Sequence, residues 1–318
     1  MDWTSGAPAA ALIAARAVHF GATALLAGAL LFRAIVAGPA VTTSTAATVF
    51  VDRQTRWIAG GALTVALVSG IVWFALTAAE MGNLPVAEAL KFDVLQMIIE
   101  GTQFGSVATV RLVLALATVV TLALDRARSA RWFALVTAHM FAASIAWTGH
   151  SGSGFGASGN VQLGTDALHL LAASAWIGGL VPLALLLSFA GKRSDAWIAI
   201  ASAVTQRFSI LGIVSVATLI ASGAINSWFL VGSVKALTGT EYGRVLIFKL
   251  VLFLAMVAIA AINRNVLAPR LAAPSADGGT TALRTLVRHC VYEIVLGFAV
   301  ISVAGWLGTL HPAAHFMN

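Results

Sequence analysis

Apolar residues run along this chain in long unbroken stretches, and polar residues gather in the short gaps between them. A helix that crosses a bilayer needs about 20 mostly apolar residues. Eight stretches reach or approach that length: 9–37, 57–79, 104–124, 132–148, 161–190, 204–231, 242–262 and 289–310. The gaps differ in kind. Residues 41–56 are rich in Thr and carry Asp52, Arg53 and Arg56, which predicts a short interfacial connection. In 80–100, Glu80, Glu88, Asp93 and Glu100 oppose Lys91 alone, while Val86, Leu90, Val94, Met97 and Ile98 recur at helical spacing. That pattern predicts an amphipathic segment lying on the membrane surface. Residues 263–288, with Pro269, Pro274 and Gly278-Gly279, predict the most flexible internal connection. The expectation is a single integral membrane domain over 1–318, all-α and polytopic, with eight transmembrane helices.

Composition agrees. At 59% hydrophobic, 10% charged and a mean hydropathy of +0.93, the chain cannot bury its apolar surface in a water-soluble globule. No ten-residue alternating strands suggest an outer-membrane barrel. The one cysteine, Cys290, excludes an internal disulfide framework and any CxxC motif. AGPA at 37–40 faintly resembles a signal-cleavage region, but no Lys or Arg except Arg16 lies ahead of the apolar core, so the first run is expected to be a span.

A net charge of +7 would suggest nucleic acid in a soluble protein; here it sets orientation. The connections after the first, third, fifth and seventh spans, with helix ends included, hold thirteen Lys and Arg against four Asp and Glu, and the other face holds two against six. By the positive-inside rule the first set is cytoplasmic and both termini are periplasmic. Trp57, Trp132, Trp147, Trp228 and Trp306 fall near helix ends, as an interfacial belt contacting membrane lipids should. No nucleic-acid partner is expected.

Candidate chemistry concentrates in 147–180. A Gly/Ser loop there is bracketed by His150 on one side and Asp166 with His169 on the other. On this topology His19, His139 and His169 lie about 10 to 15 Å below the external surface at 1.5 Å per residue. Intramembrane ionisable residues are costly, so each asks for a partner or a purpose. Asp166 and His169, three apart, share a helical face, where the carboxylate can ligate a metal or orient the imidazole. His139 and His150 share a face if the fourth span continues to the loop. Other uses stay open: an interhelical hydrogen bond for His19, and a structural contact or an ion pair with Arg16 or Arg111 for Asp166 and His169. Met140 is a packing residue or a soft ligand, His289 suits a headgroup contact, and His311 and His315 sit in a terminal tail. Arg244, Lys249 and Glu293 look structural, and the depths of Lys249 and Glu293 argue against pairing them. SGSGFGASG lacks the Lys-Ser/Thr ending of a phosphate loop.

Gly149-His150, Asp166-x-x-His169 and Trp176-Ile177-Gly178-Gly179-Leu180 resemble the core signature of the bacterial copper-resistance protein D (CopD) family. The likeness continues through Arg207-Phe208-Ser209, Ser222-Gly223, Thr240-Glu241-Tyr242-Gly243 with Lys249, Asn263-Arg264, Pro269 and Glu293. It implies an eight-helix inner-membrane protein that moves copper from periplasm to cytoplasm. Taken with the placement above, His150, Asp166, His169, His19 and His139 are the candidate ligands for Cu+ or Cu2+. The soluble copper-binding CopC domain sometimes joined to such proteins is not seen in this sequence, so a separate CopC-like periplasmic protein, or free copper, would supply the metal. No Walker or phosphorylation motif appears and no enzyme is expected. Two rival readings stand beside transport: haem b held between two of His19, His139 and His169 for electron transfer, and a non-transporting protein that docks a copper chaperone.

Overall fold

The computed structural model describes residues 7–124, 128–149, 156–272 and 278–313, and among them every regular element is helical. The first helix, α1 (Ala7–Leu31), runs on through a π-turn at Phe32–Ala37 and one more turn at Gly38–Val41. α2 spans Thr45–Gly82, followed by the short α3 (Val86–Ala89) and α4 (Phe92–Gly101). α5 is Gln103–Ala123, and α6 (Arg128–Ala143) continues as a 3-10 turn at Ser144–Thr148. α7 covers Gly156–Ala190 with a π-turn at Ser174–Gly178, and α8 is Asp195–Val231. The last three are α9 (Val234–Gly239), α10 (Glu241–Ala272, with a π-turn at Asn263–Leu267) and α11 (Gly278–Leu307).

Seven of these helices are long and apolar enough to cross a membrane. The expected fourth span is α6, whose sixteen α-helical residues fall short without the 3-10 turn beyond them. The surface segment over 80–100 divides, since Asn83 takes a left-handed conformation (φ 50°) that stops α2, and α3 and α4 follow.

Two connections are more helical than the sequence pattern suggests. The stretch 41–56 is mostly the first turns of α2, because Ser44 caps it, its Oγ accepting from Ala47 N at 3.3 Å. Residues 263–288 are largely the end of α10 and the start of α11. Pro269 is accommodated because it follows a π-turn, where the regular hydrogen-bond ladder is already interrupted.

α1 is the central helix, packed along α2, α6, α11 and the π-turn of α7. The Trp176-Ile177-Gly178-Gly179 segment serves close packing. A Cβ on Gly178 would overlap the Ala24 carbonyl, and one on Gly28 would overlap the Ser174 carbonyl, so α1 and α7 touch backbone to backbone. Around that contact Trp176, Leu180, Phe32 and Val36 join the largest buried cluster.

Candidate metal centre

Asp166 and His169 project from one face of α7 toward α8. There Ser222 and Asn226, one turn apart, meet them: His169 Nδ1 lies 2.9 Å from Ser222 Oγ, and Asn226 Nδ2 donates to Asp166 Oδ1 at 3.3 Å. The serine hydroxyl has one hydrogen and spends it on Thr218 O, 2.6 Å away. Ser222 must therefore accept from His169, which places the ring proton on Nδ1 and leaves the Nε2 lone pair open. No hydrogen bond to Nε2 occurs among the described residues. Gly223 borders the ring, a Cβ there lying 3.5 Å from Cε1. Lys249 and Tyr242 of α10 are in electrostatic reach of Asp166, and Lys249 also of His169. A fixed imidazole lone pair one helical turn from a carboxylate is a two-ligand face for a cation.

His19 lies elsewhere. It is 2% exposed and meets α2 and α5, with Nδ1 donating to Ala66 O at 2.9 Å and approaching Ser69 Oγ at 3.3 Å. Its Nε2 accepts from the Arg111 guanidinium. Arg111 also donates to Phe141 O at 2.9 Å and to Ser144 Oγ at 2.7 Å. Both ring nitrogens of His19 are thus engaged, in the interhelical hydrogen bonding left open for it above. Trp73, 5.3 Å from its centroid, and Phe141 enclose the ring, beside a cavity of about 370 Å³ roofed by Leu90, Leu95 and Ile99.

His139 donates from Nδ1 to Leu135 O of its own helix at 2.8 Å, and its Nε2 is buried without a hydrogen-bond partner among the described residues. That lone pair is open. His150, and with it the face it was expected to share with His139, lies outside the described residues, as does His315; His311 is exposed. No cluster of three His, Cys, Asp or Glu able to hold a metal forms among the described residues. The structure therefore unites Asp166 with His169 and puts His19 in a separate group.

Sequence reasoning passed over the companions of this face. Lys249 looked structural, and Ser222, Asn226 and Tyr242 had no assigned role. Ser222-Gly223 and Tyr242 with Lys249 did belong to the family resemblance, which was the available signal. A second polar group lies on α11. Glu293, 2% exposed, accepts from Asn263 Nδ2 at 2.7 Å and hydrogen-bonds the Trp176 indole. Asn263 Oδ1 accepts from His289 Nδ1 at 2.7 Å, which ties the half-exposed His289 to the same polar network. Cys290 and Glu293 border a cavity of about 430 Å³.

Two family models match the chain: copper resistance protein D over residues 202–307, and the copper resistance protein D-like N-terminal domain over 7–160. Inner membrane protein YebZ of Escherichia coli (strain K12) is 31% identical over 211 residues, 66% of this chain and 70% of that protein. The chain belongs to the copper resistance protein D family. A copper resistance protein D of Pseudomonas syringae pv. tomato is 29% identical over 221 residues, 68% of this chain and 71% of that protein. Copper transport protein CutJ of Bacillus subtilis (strain 168) is 37% identical over 98 residues, which is 31% of this chain but 18% of that protein. Family membership and the apolar helices make this chain a multi-pass inner-membrane protein. The resemblance read from His150, Asp166, His169 and the Trp176 segment thus named the right family.

Proposed function

We propose that the protein binds copper and carries it across the inner membrane from periplasm to cytoplasm, in copper homeostasis and resistance. One observation carries the reading: the open Nε2 of His169, its tautomer fixed by Ser222, stands one turn from Asp166 inside a membrane helix. Imidazole with carboxylate suits Cu2+, and imidazole alone also accepts Cu+. Membership in a copper-resistance family and likeness to a protein named for copper transport support the same reading.

In this proposal α6 with its 3-10 turn is the eighth crossing, the basic connections face the cytoplasm, and both termini are periplasmic. The whole chain acts as one membrane domain. His150 captures copper at the external loop, from free metal or from a CopC-like periplasmic protein, and Asp166 and His169 receive it below, with the open Nε2 of His139 as a further ligand. The protein is a carrier and not an enzyme. A haem b reading loses one axial candidate, because Arg111 takes the Nε2 of His19.

Purified protein in liposomes loaded with a copper-sensitive dye tests this. Wild type should take up copper, while His169→Ala and Asp166→Asn, still folded, should fall to the level of empty vesicles. Wild-type uptake in both variants removes this face from the pathway.

A further inference from the structure

The second half of the chain repeats the first. In α1, Arg16 precedes His19 by three residues and Gly28 follows it by nine; in α7, Asp166, His169 and Gly178 keep both spacings. Each histidine meets a Ser-Gly pair on the next long helix, Ser69-Gly70 for His19 and Ser222-Gly223 for His169. Short helices then intervene, α3 and α4 in one half and α9 in the other.

The following helix starts with the same cap in both halves. Thr102 Oγ1 donates to Ile98 O at 2.7 Å and accepts from Gly105 N at 2.9 Å. Thr240 Oγ1 donates to Ala236 O at 2.7 Å and accepts from Gly243 N at 3.0 Å. Nine residues after each threonine comes the cation of that half's histidine group, Arg111 or Lys249.

The halves also meet on this relation. Gly28 abuts the Ser174 carbonyl and Gly178 abuts the Ala24 carbonyl, and residues 24 and 174 each stand five positions after their own histidine. Such reciprocal contact is the mark of a two-fold axis. The turn Phe32–Ala37 packs on Gly179–Ala190, later residues against later residues, so α1 and α7 run in the same sense and the repeats are parallel.

Against this symmetry, two positions change together. Three residues before the histidine stands Arg16 in one half and Asp166 in the other; four after the serine stands Trp73 or Asn226. Arg16 lies over the Trp73 ring, 5.4 Å from its centroid, whereas Asn226 donates to Asp166. Both histidines carry their proton on Nδ1, and in the first half the Arg111 guanidinium sits on the Nε2 lone pair. We propose that the chain is a parallel duplication of one four-helix unit, and that Arg16, Trp73 and Arg111 make its first copy a cation-excluding version of the metal face in the second. The fixed guanidinium fills the position that a metal would take on the ring, and Arg16 stands where the second copy offers a carboxylate. The exclusion rests on the copper reading above; the duplication does not.

Gln103→Cys and Glu241→Cys occupy matching exposed positions, each one residue after its threonine cap. In full-length chains with Cys290→Ser, a membrane-impermeant maleimide should label both from the same side of sealed vesicles. Labelling from opposite sides overturns the duplication. The variant Arg16→Asp, Trp73→Asn, Arg111→Lys should bind an additional copper ion per chain, measured by metal analysis after equilibrium dialysis against copper, and lose it again on His19→Ala. A folded triple variant with no additional copper overturns the exclusion. If it does not fold, Asp166→Arg decides: copper binding should be lost, and binding retained overturns the exclusion. A wild-type chain that binds no copper defeats the copper reading instead, and the labelling result still decides the duplication.

Discussion

His19 and His169 carry their ring proton on the same nitrogen and lean on equivalent serines, yet one ring is closed and the other open. Around His19 both ring nitrogens and the guanidinium facing them have partners: Ala66 O and Ser69 on one nitrogen, Arg111 on the other, and Phe141 O and Ser144 on the guanidinium itself. Around His169 a hydroxyl holds one nitrogen, and a carboxylate lies a turn away. A satisfied polar cluster within a membrane rigidifies the bundle, whereas one with a spare lone pair is available for cargo. The histidine is the same in both; the surrounding charge decides its use.

The largest effect expected from breaking this contrast is on stability. Arg111→Met leaves His19 Nε2, Phe141 O and Ser144 without their donor and should cost about 3 kcal/mol in detergent unfolding, with copper affinity at the second face unchanged. Equal damage to copper binding would erase the distinction between the two clusters. Next is the joint between the halves. Gly178→Ala forces a methyl into the Ala24 carbonyl and should cost about 2 kcal/mol in the same assay. Near-wild-type stability would mean that the helices separate easily. The smallest effect sharpens the open side. Asn226→Ala removes the hydrogen bond that orients Asp166 and should weaken copper binding about tenfold. A total loss, as large as that of His169→Ala, would make Asn226 a ligand.

Much of the fold was legible because hydrocarbon imposes a simple rule: Leu, Val, Ile and Ala must run for the membrane's thickness. What that rule does not govern was read less well. Helix continues past the bilayer wherever a cap or a π-turn permits, so Ser44 pulled α2 back to Thr45, and Asn263 and Pro269, which look like breakers, lie within a continuing α10. The Asp166–His169 face could be seen because i and i+3 share a helix side. Its companions could not, because Ser222, Asn226 and Lys249 come from two other helices whose rotation depends on packing. The same limit applied to His19, whose closure by Arg111 from a distant helix was not readable.

The length of α2 has a mechanical consequence. Thirty-eight residues at 1.5 Å each make a rod of about 57 Å, against about 30 Å of hydrocarbon. Its surplus at the basic end is stitched down: Asp52 meets Arg33 of the α1 π-turn at 3.9 Å and Arg131 of α6 at 3.1 Å. The first copy is thereby braced at both levels, by His19 and Arg111 deep within and by Asp52 near the rim. It is a strut, and any rearrangement that passes a cation through the second copy has this stiff frame to push against.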